Sequence, residues 1–136
     1  MQKTYVLDAS AIFVLLDNLP GSHRIQQLLD DASRSNTTLL ASVLNWGEVS
    51  YLSWQRHGEQ LARETLADLS QLQIRVVPVD LPQTLKACEI KALRGIPYLE
   101  CIAASLAALN QATLVTTDHD FEKLGRHFPI LWLARS

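Results

Sequence analysis

Five short runs of apolar and β-branched residues, Thr4 to Leu7, Thr37 to Ala41, Gln73 to Val79, Thr113 to Thr116 and Ile130 to Leu133, are separated by longer segments whose apolar residues recur at helical spacing. That alternation constrains the chain strongly. Parallel strands need crossover connections, the crossovers are usually helices, and helices on both faces bury the sheet between them. The expectation is an α/β protein with a central, mainly parallel sheet.

The connecting segments sharpen this reading. Ala9 to Leu16 continues directly from the first strand as a helix, with Ala11, Ile12, Leu15 and Leu16 on one face. Pro20-Gly21-Ser22 marks a break; Ser22 is expected to cap a second helix that carries Ile25, Leu28, Leu29 and Ala32 inward. Ser42 is placed to cap a third, with Asn45, Glu48 or Val49, and Leu52 facing in. His57 to Leu72 reads as a helix through Leu61, Thr65, Leu69 and Leu72, and Pro78 ends the strand after it. Thr84 to Leu93 is helical by pattern, Gly95-Ile96-Pro97 interrupts, and Pro97 prepares the helix Tyr98 to Leu109. A short helix near Phe121 to Gly125 precedes the last strand.

At 136 residues and 48% apolar composition, one domain spanning 1–136 with a single substantial core is expected. No repeat or Gly/Ser/Pro-rich linker divides it. The formal charge is 12 − 14 = −2, which argues against gripping nucleic acid by bulk positive field. Cys88 and Cys101 form neither a C-x-x-C pair nor a disulfide framework and read as buried structural thiols. Asp8 arrives before any signal-peptide core, and the most apolar stretch, Ile102 to Leu109, is too short to span a membrane, so a cytoplasmic location is the expectation.

Against this background four acidic residues stand out. Asp8 ends the run Tyr5-Val6-Leu7, Asp118 follows Leu114-Val115-Thr116-Thr117, Glu100 interrupts an otherwise apolar helix, and Glu48 lies three residues from Asn45 on a helix. In open α/β sheets ligands bind beyond the C-terminal ends of the strands, where Asp8 and Asp118 emerge. Carboxylates in apolar settings are costly unless hydrogen-bonded, paired or coordinated to a metal, and several together need positive charge. Hard divalent cations take such oxygen ligands and accept phosphate oxygens. Each acid also has an ordinary structural role available: Asp8 as a helix N-cap, Glu48 as a solvated helix residue, Glu100 as a first-turn charge, and Asp118 as a turn former.

Taken together, Val6-Leu7-Asp8-Ala9-Ser10-Ala11, Ser42-x-x-Asn45-x-x-Glu48, Tyr98-Leu99-Glu100-Cys101-Ile102-Ala103-Ala104 and Leu114-Val115-Thr116-Thr117-Asp118-His119-Asp120-Phe121 resemble the successive motifs of PIN-domain proteins, most of all the toxin nucleases of VapBC-type toxin–antitoxin modules. The resemblance runs through essentially the whole chain. It implies a three-layer α/β/α fold and a Mg2+- or Mn2+-dependent ribonuclease that hydrolyses RNA with metal-activated water. Asp8, Glu48, Glu100 and Asp118 fall on the family's acidic positions, with Asp8, Glu100 and Asp118 as metal ligands and Glu48 acting through water or a second metal. Ser10 and Thr116 match supporting hydroxyl positions, Asn45 would orient Glu48, and Asp120 is a subordinate acid. A cognate antitoxin and a homodimer are implied partners. The family more often carries aspartate where this chain has Glu100, which changes reach within a small coordination shell.

Rival readings are weaker. Aspartyl-phosphate phosphatases carry a second aspartate two positions after the first, where this chain has Ser10, and a receiver-type phosphoacceptor has paired acids and a late lysine. The non-enzymatic alternative is a catalytically weak or inactive PIN-like module that binds RNA or antitoxin. His23, His57, His119 and His127 lack zinc spacing. Trp46, Trp54 and Trp132 offer faces to bases, but core or interface packing is the expectation. Arg24, Lys86, Lys91, Arg94, Lys123 and Arg126 are scattered in the manner of a solvated surface, with an RNA path as the alternative.

Overall fold

The computed structural model describes residues 2–133. Five strands, β1 (Lys3–Leu7), β2 (Thr37–Ser42), β3 (Arg75–Val77), β4 (Thr113–Thr116) and β5 (Ile130–Trp132), form one sheet in the order β3-β2-β1-β4-β5. Every pairing is parallel. β1 is central, with Val6 opposite Leu40 on one side and Leu114 on the other. The chain leaves β1 toward β2 and later returns to its other side as β4, so the crevice between the C-terminal ends of β1 and β4 is the topological switch point.

Among the described residues six α-helices accompany the sheet: α1 (Ala9–Leu16), α2 (Ser22–Ser33), α3 (Val43–His57), α4 (Glu59–Leu69), α5 (Leu81–Arg94) and α6 (Tyr98–Leu109), with a 3-10 turn at His119–Leu124. The period of two along each strand divides them into layers. Tyr5 and Leu7, Leu39 and Ala41, and Val115 point into a core shared with Ile12, Ile25, Leu28, Val49 and Leu69 of the first four helices. Val6, Leu40 and Leu114 point the other way, onto Ala87 and Ile90 of α5, the buried run Cys101 to Ala107 of α6, and Phe121. This is the three-layer α/β/α arrangement with a central parallel sheet.

Several local expectations are corrected. Ser22 does not cap α2: Gly21, at φ 102°, holds the cap position and Ser22 Oγ donates instead to Asn18 Oδ1 at 2.9 Å. The helix expected from His57 to Leu72 is the shorter α4, Glu59–Leu69: His57 closes α3, and Gly58, at φ 88°, separates the two helices and lets α4 set out in a new direction. Ala62 and Leu69 then face inward, whereas Leu61 and Leu72 are exposed. β3 is only three residues long, as suits an edge strand, and α5 starts earlier than expected because the Asp80 carboxylate caps it by accepting from Gln83 N at 3.0 Å.

Two side-chain assignments also change. Cys101 is buried, but Cys88 is exposed, since Ala87 and Ile90 take the inward face of α5. Trp54, expected in the core or at an interface, is outside the core: it lies exposed under the Arg63 guanidinium, 5.4 Å from its ring centroid. No single helix among the described residues is long and apolar enough to cross a membrane.

Candidate metal centre

Asp8 follows β1 directly, and its backbone N–H donates to Val115 O at 3.3 Å, which ties the end of β1 to the end of β4. Its carboxylate is almost fully buried and hydrogen-bonded at both oxygens: Oδ1 accepts from Ser10 Oγ at 2.7 Å and from Ala11 N at 2.9 Å, and Oδ2 accepts from Thr116 Oγ1 at 2.5 Å, which leaves Oδ2 one further acceptor site. The bond from Ala11 N makes Asp8 the N-cap of α1, so capping and site-lining are done by one carboxylate. Ser10 Oγ and Thr116 Oγ1 lie 3.2 Å apart and accept from Thr117 N and Asp118 N, at 3.0 and 2.9 Å. Those two hydroxyls lock the turn after β4 onto the start of α1.

Asp118 caps the 3-10 turn by accepting from Asp120 N at 3.0 Å, again joining a structural role to a position in the site. Glu100 sits in the first turn of α6, where a carboxylate suits the helix dipole. On α3, buried Asn45 donates through Nδ2 to Glu48 Oε1 at 3.4 Å, the i,i+3 pairing that the sequence spacing allows.

These elements surround a cleft of about 220 Å³ lined by Asp8, Ser10, Asn45, Glu48, Glu100 and Asp118, with Pro97, Leu99, Ala103 and Phe121 among its apolar walls. The structure thus brings the four acids expected from sequence to one cavity, and none of the lining residues is cationic. Thr116 lies behind Asp8 as a hydrogen-bond donor. Within the site the tightest cluster is Glu100, Asp118 and Asp120, each offering an oxygen within 4.8 Å of the others. Asp120, given a subordinate place on sequence grounds, is therefore close to the centre, while Asp8 stands outside that trio among the described residues because its oxygens are turned to Ser10, Ala11 and Thr116.

The electrostatics follow from this crowding. Burial raises Asp8 to about 6 and Asp118 adds to the rise, against the hydrogen bonds from Thr116, Ser10 and Ala11 that favour its charged form. Glu100 is pushed up to about 9, first by burial, then by Asp118 and Asp120. Glu100 Oε2 and Asn45 Oδ1 are buried without a hydrogen-bond partner. Orphaned acceptors of that kind are expensive, and a hard divalent cation satisfies them. The donor set fits such an ion.

Sequence reasoning missed Phe121, whose buried ring forms one wall of the cleft, and Thr117, whose N–H contacts Ser10. The run Asp118-His119-Asp120-Phe121 carried a signal for the first; a backbone donor leaves none in the sequence.

The PIN domain family matches residues 5–127, and the chain belongs to that family. No curated protein sequence matches it. Among solved structures, VapBC2 from Rickettsia felis, bound to a DNA fragment from their promoter, aligns with TM-score 0.80 and 18% identity over 96% of this chain and 99% of that one. VapC20 of Mycobacterium tuberculosis, described as a sarcin–ricin-loop-cleaving toxin, aligns with TM-score 0.66 and 17% identity over 89% of this chain and 95% of that one. VapBC-5 from the same organism, a member of the VapBC family of toxin–antitoxin systems, aligns with TM-score 0.64 and 18% identity over 98% of each chain.

Proposed function

We propose that this chain is a divalent-metal-dependent endoribonuclease, the toxin of a type II toxin–antitoxin module, acting in the cytoplasm. The observation that carries the reading is the cleft at the switch point of the sheet, where Asp8, Glu48, Glu100 and Asp118 converge without a cationic side chain to balance them. Family membership and the fold likeness to a toxin that cleaves the sarcin–ricin loop support the substrate class.

In this reading Asp8, Glu100 and Asp118 hold Mg2+ or Mn2+, with Asp120 completing the shell. A bound divalent cation supplies activation of water for attack and compensation of charge on the phosphodiester oxygens. The chain's own groups do the rest. Ser10 and Thr116 hold Asp8 in its ionised form and in one rotamer, as outer partners do for metal-ligating carboxylates. Asn45 orients Glu48, which faces the cleft as an acceptor for a water proton. Pro97, Leu99, Ala103 and Phe121 give the cleft its apolar walls and limit water around the acids.

The partners in this reading are an RNA substrate, a cognate antitoxin and a second copy of the chain. The likeness to VapBC-5 supports the antitoxin. Tyr51 and Trp54 of α3 and Leu61 of α4, all about half exposed, are apolar surface available for assembly. Sedimentation across micromolar concentrations tests the dimer: a strictly monomeric species removes it.

Metal titration tests the activity. The purified chain is expected to cut RNA with Mg2+ or Mn2+ and to stop in chelator. A chain that holds RNA or antitoxin in chelator but never cleaves it under any divalent metal is a binding module, and the nuclease reading fails.

A further inference from the structure

A second cleft opens on the other side of the 3-10 turn, at the β5 edge of the sheet. It has a volume of about 510 Å³, within the range of about 300–1,000 Å³ typical of small-molecule sites, and its lining includes Trp132, Phe128, Phe121, Glu122 and Arg126. Phe121 is shared: it lines this cleft and the acidic one. The register of β5 gives a second connection. Trp132 is opposite Thr116, whose hydroxyl donates to Asp8, so the indole-bearing position is one strand away from the centre of the site.

Trp132 is held in a way that core packing does not require. Its ring stacks on His119 with centroids 5.0 Å apart and planes inclined by 14°, and His119 is itself hydrogen-bonded through Nδ1 to Glu122 Oε1. Trp132 nevertheless keeps 39% of its surface exposed. An exposed, oriented aromatic beside a cleft is a stacking platform. The charges in this cleft also differ from those in the acidic one. Glu122 is engaged by His119, whereas exposed Arg126 is in no ion pair among the described residues.

We propose that the cleft beside Trp132 is a nucleotide subsite that takes one unpaired base of an RNA strand next to the bond being cut, the base stacking with Trp132 and a flanking phosphate meeting Arg126. This assignment deepens the ribonuclease reading and rests on it for the identity of the ligand. An unpaired base is required because a base within a duplex has its faces covered. Aromatic stacking tolerates any base, so the subsite supplies affinity and position more than sequence preference.

The test is equilibrium binding of a fluorescein-labelled oligoadenylate by the full chain in chelator, where cleavage does not consume the probe. Trp132→Ala is expected to weaken binding about 5- to 150-fold, the range for loss of one stacked base, whereas Trp132→Phe keeps a ring and stays near wild type. Arg126→Ala is expected to weaken binding less and to flatten its salt dependence. A Trp46→Phe/Trp54→Phe double variant leaves Trp132 as the sole indole, and its fluorescence is expected to be quenched as the RNA binds. Equal affinities for wild type and Trp132→Ala, no measurable binding by wild type, or fluorescence of the double variant indifferent to RNA each overturns the subsite. Because none of these readouts requires turnover, failure of metal-dependent cleavage is seen separately.

Discussion

Thr116 Oγ1 donates to Asp8 Oδ2 at 2.5 Å across 108 positions of sequence, joining the ends of the two central strands through the site itself. The bond matters because Asp8 is buried: without its donors the carboxylate would be driven further toward the neutral acid. Thr116→Val keeps the β-branched shape and removes the donor, leaving Oδ2 unsatisfied. Denaturant unfolding is expected to show a loss of about 1–3 kcal/mol, the usual cost of an unpaired buried polar group, with weakened metal binding in calorimetry. A variant as stable as wild type would mean that water reaches Oδ2.

Asp8→Asn separates the two roles of that residue. Asparagine is as good an N-cap as aspartate, and its amide oxygen can still accept from Ala11 N, so α1 keeps its start. The negative charge is lost. Cleavage of RNA in Mg2+ or Mn2+ is expected to vanish while circular dichroism and the unfolding midpoint stay close to wild type. Retained metal-dependent activity in pure mutant protein excludes the role proposed for Asp8.

Glu100 sets a pH dependence in the metal-free protein. Its value is raised in the folded chain from about 4.5 to about 9, so the folded state binds the proton more tightly than the unfolded state does. The resulting stability is complete below about 4.5 and is lost as pH rises through about 9. Thermal melts in chelator are therefore expected to fall across that window, and Glu100→Gln to flatten the fall. Added Mn2+ acts in the opposite direction, because the cation displaces the proton and binds only the folded site. Melting temperatures that rise with pH in chelator would contradict this assignment.

Much of this arrangement was legible in the sequence, and the limits have physical causes. Strand runs ending at Asp8 and Asp118 were readable because a parallel sheet buries both faces and gives short continuous apolar runs. α1 and α6 fall where the periodicity puts them, Ala9–Leu16 and Tyr98–Leu109. The break between α3 and α4 was legible to within a residue or two, but its cause, a single glycine at φ 88°, and the inward face of α4, which carries Ala62 and Leu69 and not Leu61 or Leu72, were not. The distinction between Asp120 and Asp8 was not readable at all. It depends on which carboxylate has its oxygens occupied by Ser10, Ala11 and Thr116, and Thr116 is more than a hundred residues away.

The remaining question about the site is the length of the side chain at position 100. Glu100 reaches the cluster from the first turn of α6 with one methylene more than an aspartate would have, and meets Asp118 and Asp120 with oxygens within 4.8 Å. The helix start is fixed by Pro97 and by the bond from Cys101 N to Pro97 O at 3.1 Å, so the backbone has little freedom to follow a shorter side chain inward. Glu100→Asp is therefore expected to withdraw an oxygen from the shell and weaken Mn2+ binding by roughly tenfold or more, the scale on which even outer partners of a metal act. Cleavage at saturating Mn2+ should fall less than cleavage at limiting Mn2+. If the aspartate variant binds Mn2+ as tightly as wild type, the extra methylene is not what brings Glu100 to the ion, and Glu100 does not join Asp8, Asp118 and Asp120 in its coordination shell.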